Sequence, residues 1–319
     1  MSIFRKPSEL EAKPGIVAMI YGSPGSGKST LACSAPNAVM IDTDGGVMRI
    51  NGAHQIPTLQ VKCWEEILTA MNEVRTTPEI ESVIIDTVGK MLAFMEDYIK
   101  RSATGRRIEL NADGSLSLKG YGKRKQMFID FIKGITMLGK NVIFVGHDRE
   151  ETRGNETVIR PEVGGSSTND LMRELDLVGY IQMNGNERTI SFTPTDKYYA
   201  KNTCDMPGVI TIPVLINDRK EIIGDNRFFG DVIEAYRRRV SENIENNRRL
   251  EELKGLMEAN IADIGTAEDA NRVVDWVQGL KHIYNSKAIA GRMIADKARE
   301  LGLTFDKATK KYIDGGTQD

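Results

Sequence analysis

The chain has 319 residues, with 43 Lys and Arg against 45 Asp and Glu, and this balance excludes a protein that holds nucleic acid through a global basic field. Its 3 cysteines, Cys33, Cys63 and Cys204, are scattered and odd in number, which excludes a disulfide framework and indicates a reducing compartment. The longest apolar runs are strand-sized, far too short for a membrane span, and the first residues lack the apolar run of a signal peptide, so we expect a cytoplasmic protein without a membrane partner.

Short apolar runs in the first half of the chain predict buried strands, and the segments between them predict helices. The strand-like runs are residues 16–20, 38–42, 83–86 and 141–146, and the helix-like segments are 28–35, 64–75, 88–100 and 122–139. Apolar strands that alternate with crossover helices are typical of a parallel sheet covered on both faces. We therefore expect an α/β fold with a mostly parallel, twisted sheet flanked by helices.

Shorter strand-like runs follow after about residue 175, at 177–183, 187–193 and 209–213. Asn184-Gly185 between the first two runs is typical of a hairpin turn, because both residues tolerate positive φ. We expect these runs to extend the sheet in an antiparallel or mixed way.

The last part of the chain has a helical pattern, with apolar residues that recur on one face. Thr266 and Asp269 have the spacing of a capping box at a helix start. Basic and acidic residues are balanced here, which is typical of solvated helix faces rather than of a basic DNA-binding arm. The expected organisation is therefore an α/β core over residues 1–230 and a helical region over 231–319.

A phosphate-binding loop is predicted directly after the first strand-like run. Residues 22–29 read G-x-x-x-x-G-K-S between a strand and a helix, which is the context that this motif requires. Lys28 is expected to reach the β- and γ-phosphates and the Ser29 hydroxyl to bind Mg²⁺, so we expect ATP and Mg²⁺ as cofactors. The expected nucleotide-binding residues are Gly22, Ser23, Pro24, Gly25, Ser26, Gly27, Lys28, Ser29 and Thr30.

Two further strand-like runs end in carboxylates. Asp86 ends the run over 83–86 and is expected to hold Mg²⁺ together with Ser29. Asp44 follows the run over 38–42 and is the candidate group that orients or deprotonates the attacking water, with Asp42 second. A strand-end turn rich in Asp and Gly is the alternative that stays open.

The fourth strand-like run ends at His147, where an imidazole can hydrogen-bond a γ-phosphate. A structural histidine is the alternative. The candidate catalytic residues are therefore Lys28, Asp44, Asp86 and His147.

Four strand ends in chain order, GSPGSGKS, MIDTD, VIIDTVG and VIFVGHD, resemble the ATPase core of RecA-like recombinases. More closely, they resemble the phage RecA-like single-strand annealing proteins of the Sak type. The likeness covers roughly residues 14–215 and includes GGSSTNDL, which resembles the end of the second DNA-binding loop. The resemblance implies a RecA-like P-loop NTPase core that forms a ring or filament, with nucleotide at the subunit interfaces, in a bacterial or phage-infected cell.

The resemblance also implies roles for single residues, with three departures from the recombinase pattern. Lys201, followed by Asn202, resembles the lysine that reaches the nucleotide of a neighbouring subunit, but Thr203 stands in place of a second lysine. Asp44 stands where the longer Glu is usual, which leaves the efficiency of hydrolysis open. His147 replaces the usual Gln of the sensor position, although His is common in the phage group.

A basic stretch over residues 100–125 lies where the resemblance places the first DNA-binding loop. Glycines, among them Gly120, make part of it a loop, its cations can neutralise backbone phosphates and Tyr121 can stack on a base. A solvated charge run is the alternative, and the loop from Arg149 to Thr168 is a second candidate. The expected DNA-binding residues are Arg106, Arg107, Lys119, Tyr121, Lys123, Arg124, Lys125, Arg149, Arg153 and Arg160.

The sequence thus predicts an ATP-dependent single-stranded DNA-binding protein that promotes annealing or recombination of phage or bacterial DNA, with slow or DNA-stimulated ATP hydrolysis. Its expected partners are single-stranded DNA and further copies of itself. Whether a single-strand-binding protein is a further partner is left open by the sequence. A nucleotide-gated adaptor or loader that acts on a protein partner is the first alternative. A small-molecule kinase is the second, although neither an acceptor pocket nor an arginine-bearing lid is recognisable in the sequence.

Overall fold

The computed structural model describes residues 9, 15–103, 108–153, 156–164, 167–185, 187–217, 219 and 221–315. The strands in this part of the chain are β1 (Val17–Gly22), β2 (Ala38–Asp42), β3 (Thr58–Gln60), β4 (Ser82–Asp86), β5 (Asn141–Arg153), β6 (Glu156–Pro161), β7 (Leu177–Asn184), β8 (Glu187–Ser191), β9 (Lys201–Asn202), β10 (Val209–Ile212), β11 (Thr304–Asp306) and β12 (Lys311–Ile313). The helices are α1 (Lys28–Ala32), α2 (Trp64–Thr76), α3 (Val88–Ser102), α4 (Leu118–Thr136), α5 (Ser167–Glu174), α6 (Phe228–Ala262), α7 (Ala267–Gly279) and α8 (Ser286–Glu300). None of these described helices is long and apolar enough to cross a membrane.

Among the described residues, 10 strands form one sheet in the order β10-β8-β7-β1-β5-β4-β2-β3, with β6 paired to β5 and β9 to β7. The strands from β7 to β3 in this order are parallel. Asp42 of β2 lies opposite Asp86 of β4, and Gly22 of β1 lies opposite His147 of β5. The parallel pairing of these strands therefore ends at one edge of the sheet, which we call the carboxyl edge and which is where open parallel sheets bind ligands.

Both faces of the sheet are buried. Along β1, Met19 belongs to one apolar core together with Phe128 of α4, while Ile20 belongs to a second core together with Phe229 of α6. Successive side chains of a strand point to opposite faces, so a strand covered on both faces is apolar throughout. The predicted α/β fold, a mostly parallel sheet flanked by helices and followed by a helical region, is confirmed.

The predicted turn at Asn184-Gly185 is also confirmed. β7 ends at Asn184, Gly185 has a φ of 60°, and β8 begins at Glu187. β7 pairs with β1 in parallel, whereas β8 pairs with β7 and β10 pairs with β8 in antiparallel fashion. The sheet is therefore extended in a mixed way, as expected.

The chain divides into two compact units, Lys13–Arg238 and a second unit that contains Arg239–Asp319, and the boundary falls within α6. The second unit has its own apolar core from the end of α6, α7 and α8. The predicted capping box is present at the start of α7, where the Asp269 N–H donates to Thr266 Oγ1 at 3.2 Å and the Thr266 N–H donates to Asp269 Oδ2 at 3.1 Å.

The second unit also contains a hairpin that the sequence did not predict. β11 and β12 pair in antiparallel fashion after α8, and the Asp306 carboxylate accepts from the Ala308 N–H at 2.9 Å and from Thr309 Oγ1 at 2.7 Å in the turn. Each strand has only 3 residues, which is too short for a periodic pattern to reveal.

Helix α4 begins before the predicted start at residue 122. Ser117 Oγ accepts from the Gly120 N–H at 3.2 Å and caps the helix. A Cβ on Gly120 would lie 2.2 Å from the Glu109 carbonyl oxygen, so glycine permits close packing of the helix on the preceding segment. The expectation that Gly120 belongs to a loop is therefore wrong.

The segment after His147 is a hairpin rather than the expected loop. β5 continues through His147 to Arg153, and β6 pairs with it in antiparallel fashion before α5 begins at Ser167. The expectation of a loop from Arg149 to Thr168 is wrong because the charged residues of this hairpin lack the apolar alternation by which a strand is recognised.

Candidate functional site

The predicted phosphate loop connects β1 to α1 at the carboxyl edge. Gly25 and Gly27 have φ of 80° and 87°, which side chains with a Cβ rarely adopt, so the glycines of the motif are needed for the curl of the backbone. The Ser26 N–H donates to the Ser23 carbonyl at 3.2 Å inside the loop. The Leu31 N–H donates to the Gly27 carbonyl at 2.9 Å as the helix begins.

Lys28 lies under the loop and is only 5% exposed. Its ammonium donates to the carbonyl oxygens of Gly22 and Ser23, both at 2.8 Å. Burial lowers the pKa of Lys28, and the nearby carboxylates of Asp148 and Asp86 oppose that shift. The ammonium is thus held at the loop by carbonyls of the loop itself, with no direct carboxylate contact among its hydrogen bonds in the described structure.

Asp86 lies buried at the end of β4, next to the phosphate loop. Burial raises the pKa of Asp86, a hydrogen bond with Ser29 and the charge of Lys28 lower it, and the charges of Asp42 and Asp44 raise it further. A buried carboxylate beside a hydroxyl, in a place that disfavours negative charge, fits a divalent cation. Ser29 and Asp86 are the residues that would hold Mg²⁺.

Protein side chains alone do not complete such a site. Within the described ranges, no group of three or more His, Cys, Asp and Glu side chains could hold a metal ion. Mg²⁺ usually takes one or two protein ligands and completes its shell with phosphate oxygens and water. The donor set of Ser29 and Asp86 therefore fits Mg²⁺ bound together with a nucleotide.

Thr43 fastens the end of β2 to the end of β4. Its hydroxyl donates to the Thr87 carbonyl at 2.8 Å and accepts from the Thr87 N–H at 2.8 Å, while the Thr43 N–H donates to the Asp86 carbonyl at 2.7 Å. The carboxylate-bearing ends of the two strands are therefore fixed relative to each other. The sequence analysis did not single out Thr43, because nothing in the local pattern distinguishes it from its neighbours.

Asp42 and Asp44 have different surroundings. Asp42 is 1% exposed, and its carboxylate accepts from the N–H groups of Asp44, Gly46 and Val47, each at 3.1 Å. Asp44 is exposed and lines the cleft beside the phosphate loop. Because the Asp42 oxygens hold the loop that presents Asp44, the structure favours Asp44 over Asp42 as the candidate base, and the assignment of a base stays a prediction.

His147 lies on β5 opposite Gly22. Its Nδ1 is buried and has no hydrogen-bond partner in the described part of the chain. Buried polar atoms normally have a partner, so an unpaired imidazole nitrogen at this edge is free for a ligand. The assignment of His147 to the γ-phosphate stays a prediction.

The candidate residues converge on a cleft of about 270 Å³. Its lining residues are Pro24, Gly25, Gly27, Lys28, Ser29, Thr30, Asp44, Gly46, Arg49, Ile50, Asp86, Thr87 and His147. Of these, Arg49, at the end of a short 3-10 helix, was missed by the sequence analysis, because a lone arginine has no distinguishing pattern. Asp148 was also missed, although it directly follows His147; its carboxylate accepts from Ser23 Oγ at 2.9 Å and links β5 to the loop.

A second cleft of about 380 Å³ adjoins the first and shares Asp44, Thr87 and His147 with it. Its other lining residues are Gly89, Lys90, Leu92, Ala93, Glu96, Arg124, Glu162 and Gly164. Arg124 of α4 therefore faces a space that is continuous with the surroundings of His147.

Lys201 lies on β9, away from the carboxyl-edge cleft of its own chain. Its ammonium donates to the carbonyls of Met172 and Arg173, at 3.1 and 3.4 Å, and so satisfies the end of α5. The assignment of Lys201 to the nucleotide of a neighbouring subunit stays a prediction. The ammonium would have to give up its hydrogen bonds to these two carbonyls to reach that nucleotide.

Those of the predicted DNA-binding residues that the structure describes lie on helix α4 and on the β5–β6 hairpin. Three ion pairs hold cations of α4: Lys123 with Glu109 at 3.7 Å, Arg124 with Glu96, and Lys125 with Asp170 at 3.2 Å. On the hairpin, Arg149 pairs with Glu151, and Arg160 lies over the Tyr199 ring at 5.8 Å. Four of these cations, Lys123, Arg124, Lys125 and Arg149, are therefore paired with carboxylates.

Lys119 has no ion pair among the described residues, whereas the guanidinium of Arg124 lies over the Tyr121 ring at 5.1 Å. The side chains of Lys119 and Tyr121 are both exposed, Tyr121 to 46%, at the start of the helix. Arg106 and Arg107 lie outside the described residues, as does the side chain of Arg153.

Comparison with known proteins gives one family. The sequence profile of a family described as an AAA domain matches residues 15–204, more than half of the chain. No curated protein sequence matches. The matched range contains the phosphate loop, Asp86, His147 and Lys201. The narrower resemblance to Sak-type annealing proteins stays a prediction.

Proposed function

The chain belongs to the AAA domain family, and on that premise we propose that it is a Mg²⁺-dependent ATPase that acts on single-stranded DNA. The observation that carries the ATPase proposal is the convergence of the phosphate loop, Asp86, Asp44 and His147 on one cleft. Parallel pairing places the phosphate loop, Asp86 and His147 at the same edge of the sheet, and the loop held by the Asp42 carboxylate presents Asp44 there.

The roles follow from the surroundings of each group. Backbone N–H groups of the loop and the Lys28 ammonium bind the phosphates, and Ser29 and Asp86 hold the metal. Bound Mg²⁺ supplies positive charge that stabilises the developing negative charge of phosphoryl transfer. Asp44, exposed to the cleft on a loop that Asp42 fixes, orients the attacking water.

His147 is the residue that couples the nucleotide to the DNA-binding elements. Its own strand continues into the hairpin that carries Arg149, and it shares the second cleft with Arg124 of α4. A hydrogen bond from the unpaired imidazole to a γ-phosphate therefore changes the surroundings of both elements. This continuity supports the DNA part of the proposal.

Single-stranded DNA binds through Lys119 and Tyr121, two exposed side chains at the start of α4, by phosphate contact and base stacking. Such contacts do not read sequence, which suits annealing and recombination of phage or bacterial DNA. The protein acts as a homo-oligomer, in which Lys201 reaches a neighbouring nucleotide, and a single-strand-binding protein is a further partner.

The test is ATP turnover by the full chain with and without single-stranded DNA, with particle size followed in the same samples. We expect DNA to raise turnover and the Lys119→Ala, Tyr121→Ala double variant to lose that increase but keep basal turnover. Lys287→Ala, an exposed lysine of the second unit, is the matched control. Unchanged turnover and no binding of DNA by the wild-type chain would overturn the DNA proposal.

A nucleotide-gated adaptor is the second candidate, and the ion pairs of Lys123, Arg124, Lys125 and Arg149 favour it because they reduce the charge available to DNA phosphates. Tight ATP binding with negligible turnover, together with capture of a protein partner through residues 231–319, would favour this function. The adjoining cleft also keeps the small-molecule kinase alternative open. ATP turnover that requires an added nucleoside or metabolite would favour the kinase function.

A further inference from the structure

An arginine from a distant part of the sequence contacts the phosphate loop. A Cβ built on Gly27 would lie 2.6 Å from Nη1 of Arg188 and 3.8 Å from its Cζ. The guanidinium therefore occupies the space that the missing side chain of Gly27 leaves open. Gly27 directly precedes Lys28, so a second cation lies beside the loop.

The sheet holds Arg188 in this place. Arg188 lies on β8, opposite Met183 of β7 and Ile212 of β10, and its Nη2 donates to the Pro213 carbonyl at 3.3 Å. The side chain is half-buried. Strand pairing on both sides and one hydrogen bond thus direct the guanidinium toward the loop.

Arg188 has no carboxylate partner among the described residues, unlike Arg101, which pairs with Glu65, and Arg248, which pairs with Glu245. A guanidinium has five N–H donors in a planar fork that matches phosphate oxygens. An unpaired guanidinium against a phosphate-binding loop is therefore complementary to an anion on that loop.

The sheet order indicates which part of the nucleotide Arg188 faces. Asp44 follows β2, and Asp86 and His147 belong to β4 and β5, on one side of β1, whereas Arg188 lies on β8, on the other side. The metal-binding and water-orienting groups mark the γ-phosphate side. Arg188 is therefore on the side of the loop away from these groups, where the phosphates that are not transferred would lie.

We propose that Arg188 binds the nucleotide within its own chain, by donating to the α- and β-phosphates held on the loop. This inference rests on the proposed nucleotide binding. It adds to the site a residue that no motif contains, and it makes the β7–β8–β10 extension of the sheet part of nucleotide recognition.

The experiment is equilibrium binding of ATP and of ADP, by calorimetry, to the full-length wild type and to Arg188→Ala, Arg188→Lys and Arg173→Ala. We expect Arg188→Ala to lower the affinity for ATP and the affinity for ADP by about 10-fold each, because one charge-assisted contact is lost from both complexes. Arg188→Lys should recover part of the affinity. Arg173, whose side chain is 79% exposed, is the matched control and should bind as the wild type does.

Three results would overturn the inference. If Arg188→Ala binds both nucleotides as tightly as the wild type, Arg188 makes no contact, and the proposed nucleotide site stands without it. If only the affinity for ATP falls, the contact is with the γ-phosphate rather than with the α- and β-phosphates that ATP and ADP have in common. If the wild type binds neither nucleotide, the proposed function fails together with the inference. Thermal melting of each variant identifies a variant that fails to fold, and Arg188→Lys then carries the test.

Discussion

Gly22 and His147 lie opposite each other in register on β1 and β5, so the phosphate loop begins beside the histidine. The Glu162 N–H donates to the His147 carbonyl at 2.8 Å, which fixes the backbone there, while the imidazole Nδ1 has no partner in the described structure. A fixed backbone with a free nitrogen suits a residue that reports on a bound phosphate.

His147 is therefore expected to matter for coupling more than for affinity. His147→Ala should bind ATP within a few-fold of the wild type but lose most of the increase in turnover caused by single-stranded DNA, since the contact between the γ-phosphate and β5 is removed. His147→Gln, which keeps a hydrogen-bonding group, should restore part of it. An equal loss of ATP affinity and of basal turnover would instead indicate a structural or purely binding role.

Lys28→Ala should abolish turnover, with a loss of at least about 100-fold, because it removes the buried ammonium that neutralises the phosphates. Steady-state phosphate release measures this, with Lys287→Ala as the control. Turnover close to that of the wild type would show that the cleft is not where ATP reacts.

Asp86→Asn should stabilise the nucleotide-free protein at neutral pH and abolish Mg²⁺-dependent turnover. Burial raises the pKa of Asp86, so its stabilising contribution is full below the ordinary pKa of an aspartate, about 4, and is lost as the pH rises through the folded pKa. Asparagine stays neutral throughout. The melting temperature of the variant should therefore exceed that of the wild type at about pH 7, and the difference should shrink toward about pH 4.

Asp275→Asn, at an exposed aspartate of the second unit, is the control for that measurement, because Asp275 is not among the charges that shift the pKa of Asp86. Its melting temperature should follow that of the wild type across the same pH range. A less stable Asp86→Asn at neutral pH would contradict the assignment of a raised pKa to this carboxyl.

Substitutions of Asp42 and of Asp44 should affect different properties, the first the stability of the fold and the second the rate of turnover. Asp42→Ala removes the acceptor of three backbone N–H groups and should lower the free energy of unfolding by about 2–4 kcal/mol, as measured in urea. Asp44→Ala should leave that free energy within about 0.5 kcal/mol but reduce turnover. Equal effects of the two changes on turnover, with no difference in stability, would mean that both carboxylates act in the reaction.

The central strands and the phosphate loop could be predicted because their signals are local. A strand buried on both faces, such as β1, is apolar at every position, and the loop motif is contiguous from Gly22 to Ser29. The β5–β6 hairpin could not be predicted in this way, because backbone pairing rather than apolar alternation defines it.

Residues of the site could be predicted from the sequence only where they follow or end an apolar strand-like run. Asp86 and His147 end their runs. The sequence could rank Asp44 above Asp42, but only the hydrogen bonds of the folded loop show what the Asp42 carboxylate does. Arg188 is far from the loop in the chain, and the contact with Gly27 arises from the sheet order. Such contacts between distant parts of the chain cannot be predicted from local sequence patterns.

The most direct test of the central claim, that the nucleotide at the carboxyl edge controls DNA binding, is the affinity for a labelled single-stranded oligonucleotide at fixed salt. Fluorescence anisotropy is measured without nucleotide, with ADP and with a non-hydrolysable ATP analogue, for the wild type and for Lys28→Ala. We predict that the analogue raises the affinity of the wild type by at least about 10-fold and leaves that of Lys28→Ala unchanged. The same affinity in all three nucleotide states of the wild type, or no binding at all, would contradict the account.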